Sequence, residues 1–201
     1  MTVVNLNHNR VSRFTVDLSG LDTGNRWLRV FKRRHRDDPL GTGHGLSRFS
    51  PPPGNRSFKV LYAGLDLETA IAEAVIRDRF EGGVSRDLAE SELDRWVVSE
   101  IAVRRALPVL DVRGLALQVL NVNTDIAAAR NQTLAQQFSA ALHAIPSVQG
   151  LLYRSRISGV DCIAVYDRAV KSALWASHAI NLDRAERLDD ALRELEITLV
   201  D

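Results

Sequence analysis

Residue types able to grip an anion or steady a developing charge are plentiful in this sequence, with 26 basic and 25 acidic residues, so candidates are picked out by the local setting of each. Arg29 lies inside WLRVF, where strand alternation separates its side chain from those of Leu28 and Val30 and lets it point into a cleft while they pack below. Arg48 stands just before the proline turn of SRFSPPPG, where reduced backbone freedom can hold a guanidinium ready for a bidentate anion. Glu73 falls about 120° from the centre of the apolar stripe set by Leu67, Ile71 and Ala74, beside the core-facing surface of a helix. Its ordinary role there is an i,i+4 pair with Arg77, worth roughly 0.2 to 0.5 kcal/mol. Tyr62 ends a strand just before Gly64 and reads as a boundary aromatic with a wet hydroxyl, and Ser155 in YRSRISG reads as a loop hydroxyl. Taken singly, none of the five demands a function.

Several chemistries are disfavoured outright. The five histidines follow no metal-ligand spacing such as HExxH, no His and Asp spacing supports a serine triad, and the single Cys162 allows neither an internal disulfide nor a paired-cysteine zinc site. Twenty-six basic residues against twenty-five acidic ones leave a net charge of +1, so no global field draws the molecule to nucleic acid or an anionic bilayer. The basic segment from Arg26 to Arg36 is the one local exception, and Asp37 and Asp38 follow it at once. The first twenty residues lack the unbroken apolar stretch of a secretory signal, and no run approaches the roughly 20 apolar residues of a membrane span. A cytoplasmic protein is expected.

The elements that must position these residues follow from apolar periodicity. Trp27 to Phe31, Phe58 to Tyr62, Trp96 to Val103, Val109 to Asp111, Gly150 to Tyr153 and Val160 to Tyr166 read as strands. Helices are expected from about Leu67 to Arg79, capped by Asp66, from Asn131 to Ala144, and from Asp183 to Glu196 with Leu188, Ala191, Leu192 and Leu195 as the buried stripe. The stretch from Lys32 to Arg56, with its glycines and prolines, is a long loop of the kind that usually carries function. Length fits one domain of 201 residues. Strands scattered among helices without a βαβ rhythm or a phosphate loop argue for an α+β fold, a mixed twisted sheet flanked by helices.

In order, WLRVF, GLSRFSPPPG, VLYAGLDLETAIAEAV and GLLYRSRISGVDCIAVY resemble the successive motifs of the RES-domain family, over about residues 27 to 168. The resemblance leaves the segments on either side unassigned. It implies a fold like that of ADP-ribosyltransferases and the activity of a toxin from a bacterial toxin–antitoxin pair, which consumes NAD by hydrolysis, or by phosphorolysis with inorganic phosphate as co-substrate. It implies an Xre-type antitoxin as partner, occluding the active site in a hetero-oligomer; the balanced charge and the lack of a long apolar run leave neither membrane nor nucleic acid expected as a direct partner. Residue by residue, the family's two arginines fall on Arg29 and Arg48, its tyrosine on Tyr62, its glutamate on Glu73 and its serine on Ser155.

Those identities suit cleavage of the nicotinamide–ribose bond, which passes through an oxocarbenium-like centre that a fixed carboxylate stabilises. Glu73 would supply it, Arg29 and Arg48 would clamp the pyrophosphate, Tyr62 would stack on nicotinamide and Ser155 would orient the carboxamide or ribose. Some relatives carry a tyrosine beside the first arginine; here Leu28 and Val30 flank Arg29, and Trp27 or Phe31, on Arg29's side of the strand, could supply the second aromatic wall. Two other activities fit less closely: ADP-ribosyl transfer to a protein, and a non-catalytic module binding nucleic acid through the Arg26 to Arg36 segment.

Overall fold

The computed structural model describes residues 5–20, 26–77, 79–80, 83 and 85–201. In chain order the strands are β1 (Thr15–Asp17), β2 (Arg26–Lys32), β3 (Val60–Gly64), β4 (Asp87–Ala89), β5 (Trp96–Val103), β6 (Pro108–Asp111), β7 (Gly150–Arg154), β8 (Asp161–Tyr166), β9 (Leu174–Ala176), β10 (Ile180–Asn181) and β11 (Thr198–Val200). The helices are α1 (His8–Ser12), α2 (Leu67–Ile71), α3 (Glu90–Leu93), α4 (Ala116–Val119), α5 (Asp125–Ala128), α6 (Thr133–His143), α7 (Asp167–Ala173) and α8 (Leu188–Glu194). Nine strands form one sheet in the order β1-β6-β7-β8-β3-β2-β5-β10, with β9 also on β5, and β4 and β11 make a separate parallel pair. Among the described residues, β6 and β7 are the one pair of the large sheet that runs parallel. The α+β mixed-sheet expectation holds.

Alternation along the strands sorts the core. Ile163 and Val165 of β8 pack with Leu61, Ala63 and the Ala169, Val170 and Ala173 face of α7. Cys162, Ala164 and Tyr166 point the other way, onto Phe138 and Leu142 of α6. On that same side, further along the sheet, Val30 and Val98 pack under α2 and under the Leu188, Ala191, Leu192 and Leu195 stripe of α8. One face of the sheet therefore carries two apolar clusters with a gap between them.

Three elements depart from expectation. The predicted strand at Phe58 begins two residues later; the Phe58 ring is buried, stacked on His143 at 4.3 Å between centroids. Ring packing there displaces pairing. The predicted helix from Leu67 starts as expected, with Asp66 Oδ1 accepting the Thr69 N–H at 2.8 Å, but Ala72 to Ile76 form a π turn. Its defining bond runs from Arg77 N–H back to the Ala72 carbonyl at 2.8 Å, and Arg77 then breaks away at φ 43°, ψ −116°. The position of residue 78 lies outside the described residues. The last helix shortens to Leu188–Glu194, because Arg187 adopts a left-handed conformation at φ 62°.

The sheet is continuous but uneven. β2 pairs with β5 along its whole length and β3 pairs likewise with β8, yet β2 and β3 meet only at Leu28 and Gly64. At that junction α2 packs directly onto the chain: a Cβ on Gly64 would lie 2.9 Å from Thr69 Cγ2 and 3.0 Å from the Ala70 nitrogen. Gly64→Ala is therefore expected to cost about 1–3 kcal/mol through overpacking, read as a lower midpoint in denaturant melts; an unchanged midpoint would mean that α2 shifts freely.

Candidate active site

Beyond the Leu28–Gly64 contact the two strands splay, and the space between them is an open recess of about 580 Å³ counted out to its mouth. Arg29, Val30 and Phe31 form one wall, Val60, Tyr62 and Ala63 the other, and Glu73, Ala74 and Arg77 of the π turn overhang it. A second recess adjoins it, lined by Ser47, Arg48, Gln132, Arg156 and Ile157 and sharing Tyr62, Glu73, Arg77 and Tyr153 with the first.

Glu73 is held by Ser155. The Ser155 hydroxyl donates to Glu73 Oε1 at 2.6 Å and accepts the N–H groups of Ile157 at 3.1 Å and Ser158 at 3.2 Å. With its lone pairs so occupied, its single hydrogen is aimed at the carboxylate. The loop that presents it is closed by Ser155 N–H on the Val160 carbonyl and Gly159 N–H on the Ser155 carbonyl, with Gly159 at φ 74°. Ser158 Oγ and Thr69 Oγ1, 2.8 Å apart, fasten this loop to α2. At its base Arg113 forks onto Asp111 and reaches Asp161 at 2.5 Å, an arrangement that raises the pKa of the guanidinium. The expected pairing of Glu73 with Arg77 takes a different form: Arg77 Nε donates to the Glu73 backbone carbonyl at 2.7 Å, and the carboxylate is held by Ser155.

Tyr62 and Arg48 are joined through one residue. The Tyr62 hydroxyl accepts the Phe49 N–H at 2.9 Å, and the Phe49 carbonyl accepts the Ser139 hydroxyl at 2.7 Å. Burial pushes the Tyr62 phenol up to about 12, so it stays neutral at physiological pH. The turn thus pinned carries Arg48, whose Nη1 donates to the Ala129 carbonyl at 2.8 Å and the Ile126 carbonyl at 3.3 Å. Burial lowers the pKa of that guanidinium, and the Glu73 charge works against the shift.

Arg29 is more fully committed. Its Nη1 donates to the Pro39 carbonyl at 2.5 Å and its Nη2 to the Gly41 carbonyl at 2.8 Å, and the guanidinium carbon lies 5.0 Å from the centroid of the Phe31 ring. Burial pulls its pKa down to about 10, partly offset by Asp38, so it remains charged at neutral pH. The structure thus brings Tyr62, Glu73 and Ser155 together, with Arg29 on one recess and Arg48 on the other.

Two residues of the site escaped the sequence reading. Tyr153, 4% exposed, lines both recesses as a further aromatic wall; of the two aromatics expected there, Phe31 lines the first recess and Trp27 is taken into the core on the far side of the sheet. Alternation in β7, two residues before Ser155, was the available signal. Arg77 also lines both recesses; its backbone strain left no trace in periodicity. The basic segment does not build one cationic face: Arg26 pairs with Glu100, Lys32 covers Trp96, and Arg36 donates to the Ala179 carbonyl. Among the described residues no group of three or more His, Cys, Asp or Glu side chains is placed to hold a metal ion, and no helix is long and apolar enough to cross a membrane.

The family model described as the RES domain matches residues 26–189. Among curated protein sequences none matches the chain. A chain in the crystal structure of the M. tuberculosis MbcT–MbcA toxin–antitoxin complex has a similar fold, with a TM-score of 0.62 at 17% sequence identity over 86% of this chain and 90% of that one.

Because Arg29 satisfies two loop carbonyls with one buried charge, Arg29→Ala is expected to lower unfolding free energy by about 3 kcal/mol in denaturant titration, and Arg29→Lys, lacking the planar fork, to recover little. Wild-type stability in the alanine variant would show that the tether carries no load.

Proposed function

From the premise that the chain belongs to the RES-domain family, we propose that it is the toxin of a toxin–antitoxin pair and an enzyme that cleaves the nicotinamide–ribose bond of NAD. The observation that carries the reading is the Ser155–Glu73 hydrogen bond, which fixes a carboxylate between two tyrosine-lined recesses with arginines on either side.

In this reading nicotinamide lies between Tyr62 and Tyr153, and the anomeric carbon of its ribose lies beside Glu73. The bond breaks with its electron pair going to the pyridinium ring, which leaves as neutral nicotinamide. Positive charge then builds on the ribose, and the fixed carboxylate stabilises it. Ser155 acts through Glu73: a hydroxyl already oriented as donor keeps the carboxylate in place, so little reorganisation accompanies the charge that develops. Water completes the reaction by bonding through its oxygen to the ribose and releasing a proton to solvent, or inorganic phosphate does so through one of its oxygens. NAD is consumed as substrate in this reading, and no regenerated cofactor is required.

The partner in this reading is an Xre-type antitoxin that covers the recess. The likeness to a chain of a toxin–antitoxin complex supports an antitoxin-controlled role, and the cytoplasm is where such a protein would meet NAD.

Purified protein free of antitoxin should release nicotinamide from NAD. Glu73→Gln, which keeps size and a hydrogen-bond acceptor for Ser155 but removes the charge, should reduce kcat by roughly 10²–10³-fold, with binding of NAD largely kept. Full turnover in that variant would overturn the mechanism. Label from NAD that stays on protein would assign the chemistry to ADP-ribosyl transfer, and a rate that depends on phosphate would assign it to phosphorolysis.

A further inference from the structure

A third hollow opens next to the splayed strands, lined by Phe31, Lys32, Val75, Arg79 and Trp96 among others. It shares Val30, Phe31, Ala74 and Arg77 with the recess between β2 and β3, which in turn shares Tyr62, Glu73, Arg77 and Tyr153 with the Arg48 recess. The three hollows therefore follow the π turn as one groove. Among the described residues Arg77 alone lines all three. A dinucleotide has its diphosphate in the middle, one phosphoester away from each ribose. A cation at the midpoint of the groove, one turn along from the carboxylate that faces the reacting ribose, stands where that diphosphate would lie.

The arginines differ in what they have left to give. Both terminal nitrogens of Arg29 are bonded to the Pro39 and Gly41 carbonyls. Arg77 is exposed, spends Nε on the Glu73 carbonyl at 2.7 Å, and touches Ser47 Oγ through Nη2 at only 3.4 Å. Its Nη1 has no acceptor among the described residues. The Nε bond aims the fork, and the terminal nitrogens remain open to a bidentate anion. The backbone conformation that puts Arg77 there, φ 43° and ψ −116°, is one a side chain rarely adopts, and strain of this kind collects at ligand clamps.

We propose that Arg77, and not Arg29, is the diphosphate-binding residue of the Glu73 site, Arg29 serving to tether the loop at residues 39 to 41 to β2. This assignment rests on the NAD reading given above, and it predicts a ligand class that can be tested without turnover: nucleoside diphosphates. Titration with ADP, followed by calorimetry, should show binding to the unaltered chain that weakens roughly tenfold or more in Arg77→Gln, with Arg77→Lys in between. Arg77→Gly removes the same guanidinium while relaxing the backbone, so it should melt no lower than the parent and still lose ADP affinity; this separates a binding defect from a folding one. In NAD cleavage the same variants should raise KM more than they lower kcat. ADP affinity unchanged within twofold in the glutamine and glycine variants, or an unaltered chain that does not bind ADP, would overturn the inference. Loss of ADP binding in the variants of a chain that never releases nicotinamide would uphold the anion site and overturn the reaction. Cleavage of NAD with ADP binding indifferent to residue 77 would do the reverse.

Discussion

The structure depends on a sheet that is whole along most of its breadth and open at one seam. Two strands that share a single register pair cannot satisfy each other's peptide groups beyond it, and buried backbone donors and acceptors must find partners. The fold keeps the seam viable by letting β5 hold one strand and β8 the other along their full lengths, so each strand has a full-length partner away from the seam. What remains between them is a slot with walls of regular secondary structure. A site built on strands holds its geometry better than one built on loops, and here even the loop contributions are tied back to the sheet.

Those ties have a common form, in which side chains that face the slot are fixed by main-chain groups. Two amide hydrogens hold the Ser155 oxygen, Phe49 joins Tyr62 to Ser139, the Ala129 carbonyl takes the guanidinium of Arg48, and two loop carbonyls take that of Arg29. The long stretch between β2 and β3 has little regular structure of its own, and two arginines and a tyrosine order it at three points. The arrangement also divides labour among like residues. A guanidinium whose forks are filled by carbonyls is a structural strut that happens to be charged, and only one with open donors can meet a ligand.

Much of this architecture could be read from the residues. Alternation placed β2, β5, β7 and β8, the Asp66 cap placed the start of α2, and the leucine stripe of α8 was buried as its spacing required. These features depend on local chemistry, which periodicity reports. The π turn was invisible because a single turn is too short for its i→i+5 spacing to be told from the i→i+4 spacing of an α-helix in the apolar pattern, and the difference is set by where Arg77 leaves. Tyr153 is a core residue of β7 that also lines the slot; a sequence does not record that a single side chain serves both packing and site. The bonds that occupy Arg29, and Nη1 of Arg48, depend on loop carbonyls up to eighty-one residues away in the chain, as for Arg48 and Ala129.

The cluster behind the π turn is completed from far downstream. Ile71, Val75 and Ile76 pack against Leu188, Leu192, Leu195 and Ile197, and β11 lies beside β4 in a parallel pair that no hairpin could have formed early. During synthesis the segment bearing Glu73 emerges long before its backing does. On a growing polypeptide the groups that line the slot consequently precede the apolar backing that packs behind them, which comes with residues 188 to 197.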